Sequence, residues 1–168
     1  MILNINQDLK IKCWEYLAKN NMGKRHSANG NKEEQLVGLI GEIMTKELFN
    51  IKHEWKSGFD GGFDFIYKGK KIDVKTMGRT VNSKPFYVNN FVAFQKEFDC
   101  DCYIFNSINK KTNELTICGW VTKEDLLTKA FFCEKGSVVK RSNGSLFTAA
   151  YDFYMLENNK LNNINTII

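Results

Sequence analysis

The sequence predicts a mixed α/β domain, a β-sheet flanked by helices. Three observations carry this reading. Stretches 8–20 and 32–49 space their apolar residues at helical intervals. Two pairs of short alternating segments, at 63–76 and 100–120, are separated by turn residues. A further helical pattern at 122–130 follows the second pair. At 168 residues the chain is the size of one domain, 1–168, large enough to bury a core without staples.

In the first helix, Leu9, Cys13, Trp14 and Leu17 share a face. The polar, Gly-containing stretch 20–31 is a loop. The second helix is the clearest, with Leu36, Leu39, Ile40, Ile43, Met44 and Leu48 on one broad stripe and Asn50 as its stop. Residues 51–55 are expected to form a short strand, and 57–62 a Gly-rich turn. Residues 63–67 and 71–76 form a hairpin turning at Lys68-Gly69. Residues 79–98 carry no clear pattern. Residues 100–107 and 114–120 make a second strand pair across 109–113. Thr122 and Asp125 have the spacing of a helix cap. Strands are expected near Val138 and over 151–155. The core spans about 25–155, and the Asn-rich end, 156–168, is expected to fray.

Composition excludes several classes. Hydrophobic residues are 43% and aromatics 13%, so the chain is no disordered tail. No apolar run approaches the ~18 residues that cross a bilayer, and the start lacks a signal-peptide pattern. A cytoplasmic protein without a membrane partner is expected. The five cysteines (13, 100, 102, 118, 133) are odd in number with no CxxC pair, which reads as reduced thiols and no zinc or iron–sulfur site. Net charge is +5, with 21 Lys, 3 Arg and 19 Asn, a bias that an AT-rich genome also produces. Such a balance permits a polyanionic partner without establishing one.

The first hairpin carries the chemistry. Side chains alternate along a strand, so Asp73 and Lys75 point one way and Ile72 and Val74 the other. With a two-residue loop at Lys68-Gly69, Tyr67 pairs with Lys70 and Asp64 falls opposite Asp73, their Cβ atoms ~4.5–5.5 Å apart. A three-residue loop would leave the aspartates diagonal. Like charges directly opposite destabilise a hairpin, unless one carboxyl has a raised pKa or a hard cation such as Mg²⁺ sits between them. Lys75 on the same face can neutralise part of the charge and hold a water or phosphate oxygen. Taken alone, a D-x-K tripeptide is far more often the salt-bridged pattern of an exposed sheet face; the apolar opposite face, the facing Asp64 and the preceding helix with its acid raise the odds of a site here.

Glu42 lies at the edge of the polar face of its helix, beside Gly38 and Gly41. Each Gly costs about 1 kcal/mol relative to Ala in a helix interior. Two so close together point to a backbone or a ligand approaching there.

The stretches Gly38-Leu-Ile-Gly-Glu42, Gly62-Phe-Asp64 and Asp73-Val-Lys-Thr76, in that order, resemble the PD-(D/E)xK nuclease superfamily, which includes restriction-endonuclease-like enzymes and archaeal-type Holliday-junction resolvases. The resemblance runs over roughly residues 25–125, and Gly119-Trp-Val-Thr-Lys-Glu-Asp125 is similar to strand-to-helix passages of phage and bacterial nucleases. It implies a restriction-endonuclease-like mixed sheet core flanked by helices. It implies a Mg²⁺-dependent endodeoxyribonuclease, hydrolysing phosphodiester bonds of duplex or branched, Holliday-junction-like DNA, with Mn²⁺ as a substitute metal and no small-molecule cofactor. Asp64 would match the Asp of PD and Asp73 the acid of (D/E)xK, both ligating metal with the Val74 backbone carbonyl. Lys75 would position or activate the attacking water, and Glu42 would complete the metal site. Such enzymes act as dimers on two strands, so the resemblance implies a homodimer. Phe63 stands where the pattern has Pro, which leaves Asp60 as an alternative to Asp64. Asp64 is preferred because Asp60 lies in a Gly-rich turn out of register with Asp73. A non-catalytic nucleic-acid- or protein-binding module on a nuclease-like fold is the competing reading.

Lys24, Arg25, Lys68, Lys70, Lys71, Arg79 and Lys84 are candidate phosphate contacts, though each is equally a solvated charge. Tyr87, Phe91 and Phe94 could stack on bases or belong to the core. His26 and His53 have no spaced partner for zinc and are assigned no role.

Overall fold

The computed structural model describes residues 1–22, 30–55, 61–141 and 144–168. The architecture is mixed α/β. Its elements in chain order are strand β1 (Ile2–Asn4), helices α1 (Gln7–Lys19) and α2 (Lys32–Leu48), and strands β2 (Phe65–Tyr67), β3 (Lys70–Arg79) and β4 (Val88–Val92). A 3-10 turn at Ala93–Glu97 leads to β5 (Cys102–Asn109), β6 (Glu114–Thr122), helix α3 (Lys123–Lys129), β7 (Phe131–Cys133), β8 (Val138–Lys140), β9 (Leu146–Thr148) and β10 (Phe153–Glu157). The main sheet runs β1-β6-β5-β3-β2, with β3 and β5 parallel and the other neighbours antiparallel. A smaller sheet, β4-β10-β7, lies beside it, and β8-β9 form a separate hairpin. No helix among the described residues is long and apolar enough to cross a membrane.

Local chemistry explains the boundaries. Asn31 and Glu34 form a reciprocal capping box at the start of α2. The helix ends where Asn50 turns left-handed, φ 56°. Thr122 Oγ1 accepts the Asp125 N–H at 3.1 Å and caps α3. The β2–β3 turn has positive φ at both Lys68 (48°) and Gly69 (77°), the type I′ geometry that matches strand twist. Its register follows: Tyr67 pairs with Lys70 and Phe65 with Ile72. All eight residues of β5 are buried, as befits a strand with neighbours on both edges and layers on both faces.

Helices α1 and α2 cover one face of the main sheet, meeting Ile72, Cys102, Ile104, Ile108, Leu115 and Ile117. On the opposite face Tyr103, Phe105 and Val121 pack with Phe91, Leu126 and Leu156 of the smaller sheet and α3. Helix α2 approaches β3 so closely that a Cβ on Gly41 would collide with the Thr76 side chain. By contrast, a Cβ on Gly38 would meet nothing within 4 Å. A buried latch reinforces the approach: Asn106 Nδ2 donates to Thr45 Oγ1 at 2.7 Å, and Thr45 Oγ1 donates to the Gly41 carbonyl at 2.7 Å.

Several expectations are corrected. Residues 51–55 form no strand. The Ile51 N–H turns back to the Lys46 carbonyl (2.8 Å), and Trp55 packs on His53 and Tyr16 instead of pairing with a strand. The Asn-rich end does not fray. Asn162 exchanges backbone bonds with Trp120 on β6, and Ile164 enters the core. The unpatterned stretch 79–98 holds β4 and the 3-10 turn. Strand β1 is only three residues long, too short for periodicity to show.

The two helix glycines should separate by experiment. Gly41→Ala should lose about 1–3 kcal/mol in urea unfolding through overpacking against β3. Gly38→Ala, with open space before it, should be neutral or gain up to about 1 kcal/mol of helix propensity. Equal effects at both positions would refute the close approach.

Candidate active site

Strand β3 supplies the site because one of its edges is open. Strand β2 pairs only with Lys70–Ile72, so beyond Ile72 the edge away from β5 has no strand partner among the described residues. Asp64 occupies that edge. Its backbone N–H donates to the Ile72 carbonyl (2.8 Å), and its Oδ2 accepts the Val74 N–H (2.6 Å). Ile72 and Val74 are two apart, so their peptide groups face the same edge, and the Val74 carbonyl points to the side where Asp64 lies. The ladder stops at Phe65–Ile72, so Asp64 is not paired with Asp73 in it; Asp64 is tied instead to the Ile72 carbonyl and the Val74 N–H on either side of Asp73.

Asp64, Asp73, Val74, Lys75 and Glu42 all line one cleft of about 320 Å³ between α2, β3 and the β4 segment. Lys75 Nζ lies 2.6 Å from Asp73 Oδ2, and both side chains are largely buried. Across the cleft, Glu42 Oε1 accepts from Lys46 Nζ at 2.5 Å and lies 3.4 Å from His53 Nδ1. Burial and the nearby charges of Asp73 and Glu42 hold the Asp64 carboxyl well above the usual carboxylate range; Lys75 and the Val74 N–H offset only part of this. Burial pushes Glu42 upward too, but hydrogen bonds and charge from His53 and Lys46 outweigh it and leave its carboxyl below the ordinary value.

The donor set suits a hard divalent cation. It offers carboxylate and carbonyl oxygens, and the charge of Lys75 offsets only part of the burial and like-charge repulsion at Asp64. Among the described residues no three His, Cys, Asp or Glu side chains converge closely enough to hold a metal by themselves. The three acids share a cleft without closing on one point. A small ion that keeps several waters, such as Mg²⁺, takes only one or two carboxylates from a protein, so Asp64 and Asp73 with the Val74 carbonyl are the groups that could hold one.

The expected phosphate contacts divide differently. Lys24 and Arg25, and the alternative acid Asp60, lie outside the described residues. Lys68 and Lys70 are exposed at the β2–β3 turn, Lys68 over the Tyr67 ring. Lys71 pairs with Asp99. Arg79 donates to the Val88 carbonyl at 2.6 Å and stacks on Tyr87, and burial lowers its guanidinium pKa. Lys84 is exposed, near Phe86. None of these five lines the cleft. Of the aromatics, Phe91 is core, Tyr87 serves Arg79, and Phe94 reaches the cleft.

Sequence reasoning missed Lys46, His53, Gln95 and Tyr151. Only Lys46 carried a signal, being four residues after Glu42 on a helix. The five cysteines carry free thiols. Burial, with some help from the charge of Asp73, pushes the Cys100 thiol up to about 12, which leaves it inert as a nucleophile.

No protein-family model, curated protein or solved structure matches the chain.

A carboxyl held above its ordinary pKa destabilises the fold wherever it is ionised, so stability falls as pH rises from the unfolded pKa through the folded one. Asp64→Asn removes that burden, and its amide oxygen still accepts the Val74 N–H. In metal-free buffer at pH 7 the variant should therefore melt higher than wild type, each kcal/mol relieved reading as about 2–4 °C in scanning calorimetry. A lower melting temperature would contradict the like-charge account.

Proposed function

We propose that this protein is a Mg²⁺-dependent endodeoxyribonuclease with a restriction-endonuclease-like core. The observation that supports it most is the meeting of Asp64, Asp73 and Lys75 at the open edge of β3, with Glu42 facing them from α2. That is the chemistry a phosphodiester needs: anionic oxygens for a divalent cation and an ammonium beside them.

In this reading Asp64, Asp73 and the Val74 carbonyl hold the ion. When bound there, Mg²⁺ would supply charge neutralisation at phosphorus and a lowered pKa of water. Lys75, braced by Asp73, donates to the attacking water or to a phosphate oxygen and fixes its approach. Lys75 Nζ, held 2.6 Å from Asp73 Oδ2, serves as a donor rather than as a base. Glu42, kept ionised by Lys46 and His53, accepts a hydrogen bond from water on the helix side of the cleft.

The non-catalytic reading draws on one observation: Asp73 and Glu42 each already hold a lysine ammonium. Incubating plasmid, branched and single-stranded DNA with Mg²⁺ or EDTA separates the two readings. Metal-dependent cutting is expected. Asp73→Asn and Lys75→Gln should each lose at least about 10²-fold in rate while keeping the wild-type circular-dichroism spectrum. Absence of cutting on every DNA form, with or without Mg²⁺ and Mn²⁺, would remove the enzyme reading.

A further inference from the structure

The cleft does not end at the acids. Phe94 and Tyr151 line it and also line a wider, shallower groove of about 710 Å³ on the smaller sheet. Its other walls include Phe132, Tyr154, Lys96 and Lys135. Phe132 is 43% and Tyr151 42% exposed. The sheet holds the Phe132 and Tyr154 rings rigidly. These residues are cross-strand neighbours on β7 and β10, their centroids are 5.1 Å apart, and Tyr154 in turn packs on buried Phe91. Charge in the groove is lysine-rich. Its acid, Asp152, accepts the Lys135 backbone N–H at 2.8 Å, and among the described residues the acid paired with Lys96 is the distant Glu97, at 4.0 Å.

We propose that this groove is a stacking subsite for single-stranded DNA, delivering an unpaired strand past Phe94 and Tyr151 to the acids of β3. This rests on the nuclease reading and narrows its substrate to single-stranded, frayed or flapped DNA. Rings offer faces, and only unpaired bases have faces to place on them; in a duplex those faces are stacked on one another. Ammonium groups along the same wall match the phosphates between successive bases. Aromatic platforms interleaved with lysines are the common chemistry of single-strand binding. A protein partner would use the same rings but has no need of the lysines or of continuity with the cleft.

Fluorescence anisotropy with labelled oligo-dT in metal-free buffer tests the subsite without catalysis. Phe132→Ala and Tyr151→Ala should each raise Kd by at least about 5-fold, and Phe132→Trp should restore binding. Lys96→Gln and Lys135→Gln should each lower the slope of log K against log salt by about 0.7. Duplex of equal length should bind more weakly than oligo-dT. If aromatic variants bind oligo-dT as wild type does, or if duplex binds better, the subsite is wrong, whatever cleavage shows. Sedimentation giving a dimer that Phe132→Ala dissociates would also overturn it, by assigning the rings to a second copy of this chain. Aromatic-dependent binding with no cutting under Mg²⁺ would instead retain the subsite and remove the nuclease reading.

Discussion

The site depends on how near α2 can come to β3. Gly41 has no side chain, and Thr76 takes the space a methyl group would fill. The Asn106–Thr45–Gly41 hydrogen bonds then fix the helix against β5. Glu42 is the next residue along the helix, so the same contact that seats α2 decides where Glu42 lies relative to Asp73 and Lys75. A helix one methyl group farther out would widen the cleft and weaken the field of Glu42 at Asp64. Packing and electrostatics are therefore one problem here. The buried polar latch strengthens the point, because its hydrogen bonds are stronger in a low-dielectric interior than in water.

Within that geometry the charges are unevenly matched. Asp73 has Lys75, and Glu42 has Lys46 and His53. Asp64 receives the Val74 N–H and lies under the combined field of both other acids. On the proposed reading, Asp64 is where a cation would relieve most like-charge repulsion.

The fold was legible where periodicity is long or turn chemistry is specific. Helix α2 and the buried strand β5 announce themselves through apolar spacing. The β2–β3 register as far as Phe65–Ile72 follows from Gly69 and the two-residue loop, but the bonds of Asp64 to Ile72 and Val74 beyond the ladder do not. The remainder was hidden for physical reasons. Strands β1, β7, β8 and β9 are three residues each, shorter than a period test can use. The Asn-rich end looks solvent-bound by composition, yet Ile164 and the Trp120–Asn162 bridge secure it through contacts more than forty residues away. Of the candidate phosphate contacts, Arg79 and Lys71 are taken by Val88, Tyr87 and Asp99, partners that no local pattern reveals.

The smaller sheet is where tertiary structure adds most to the sequence. β10 is its central strand, so Tyr154 is flanked by Phe91 on one side and Phe132 on the other. The row begins in the core and ends at solvent. A ring anchored this way loses little conformational freedom when something stacks on it, because the sheet has already fixed its orientation. Burial of Phe91 against Tyr103 ties the row to the main sheet, and Tyr103 pairs in register with Asp73. Neighbouring residues of the central strands thus hold both the acids and the base of the aromatic row. The distance between the two features is set by a continuous core, and not by a loop that could move them apart.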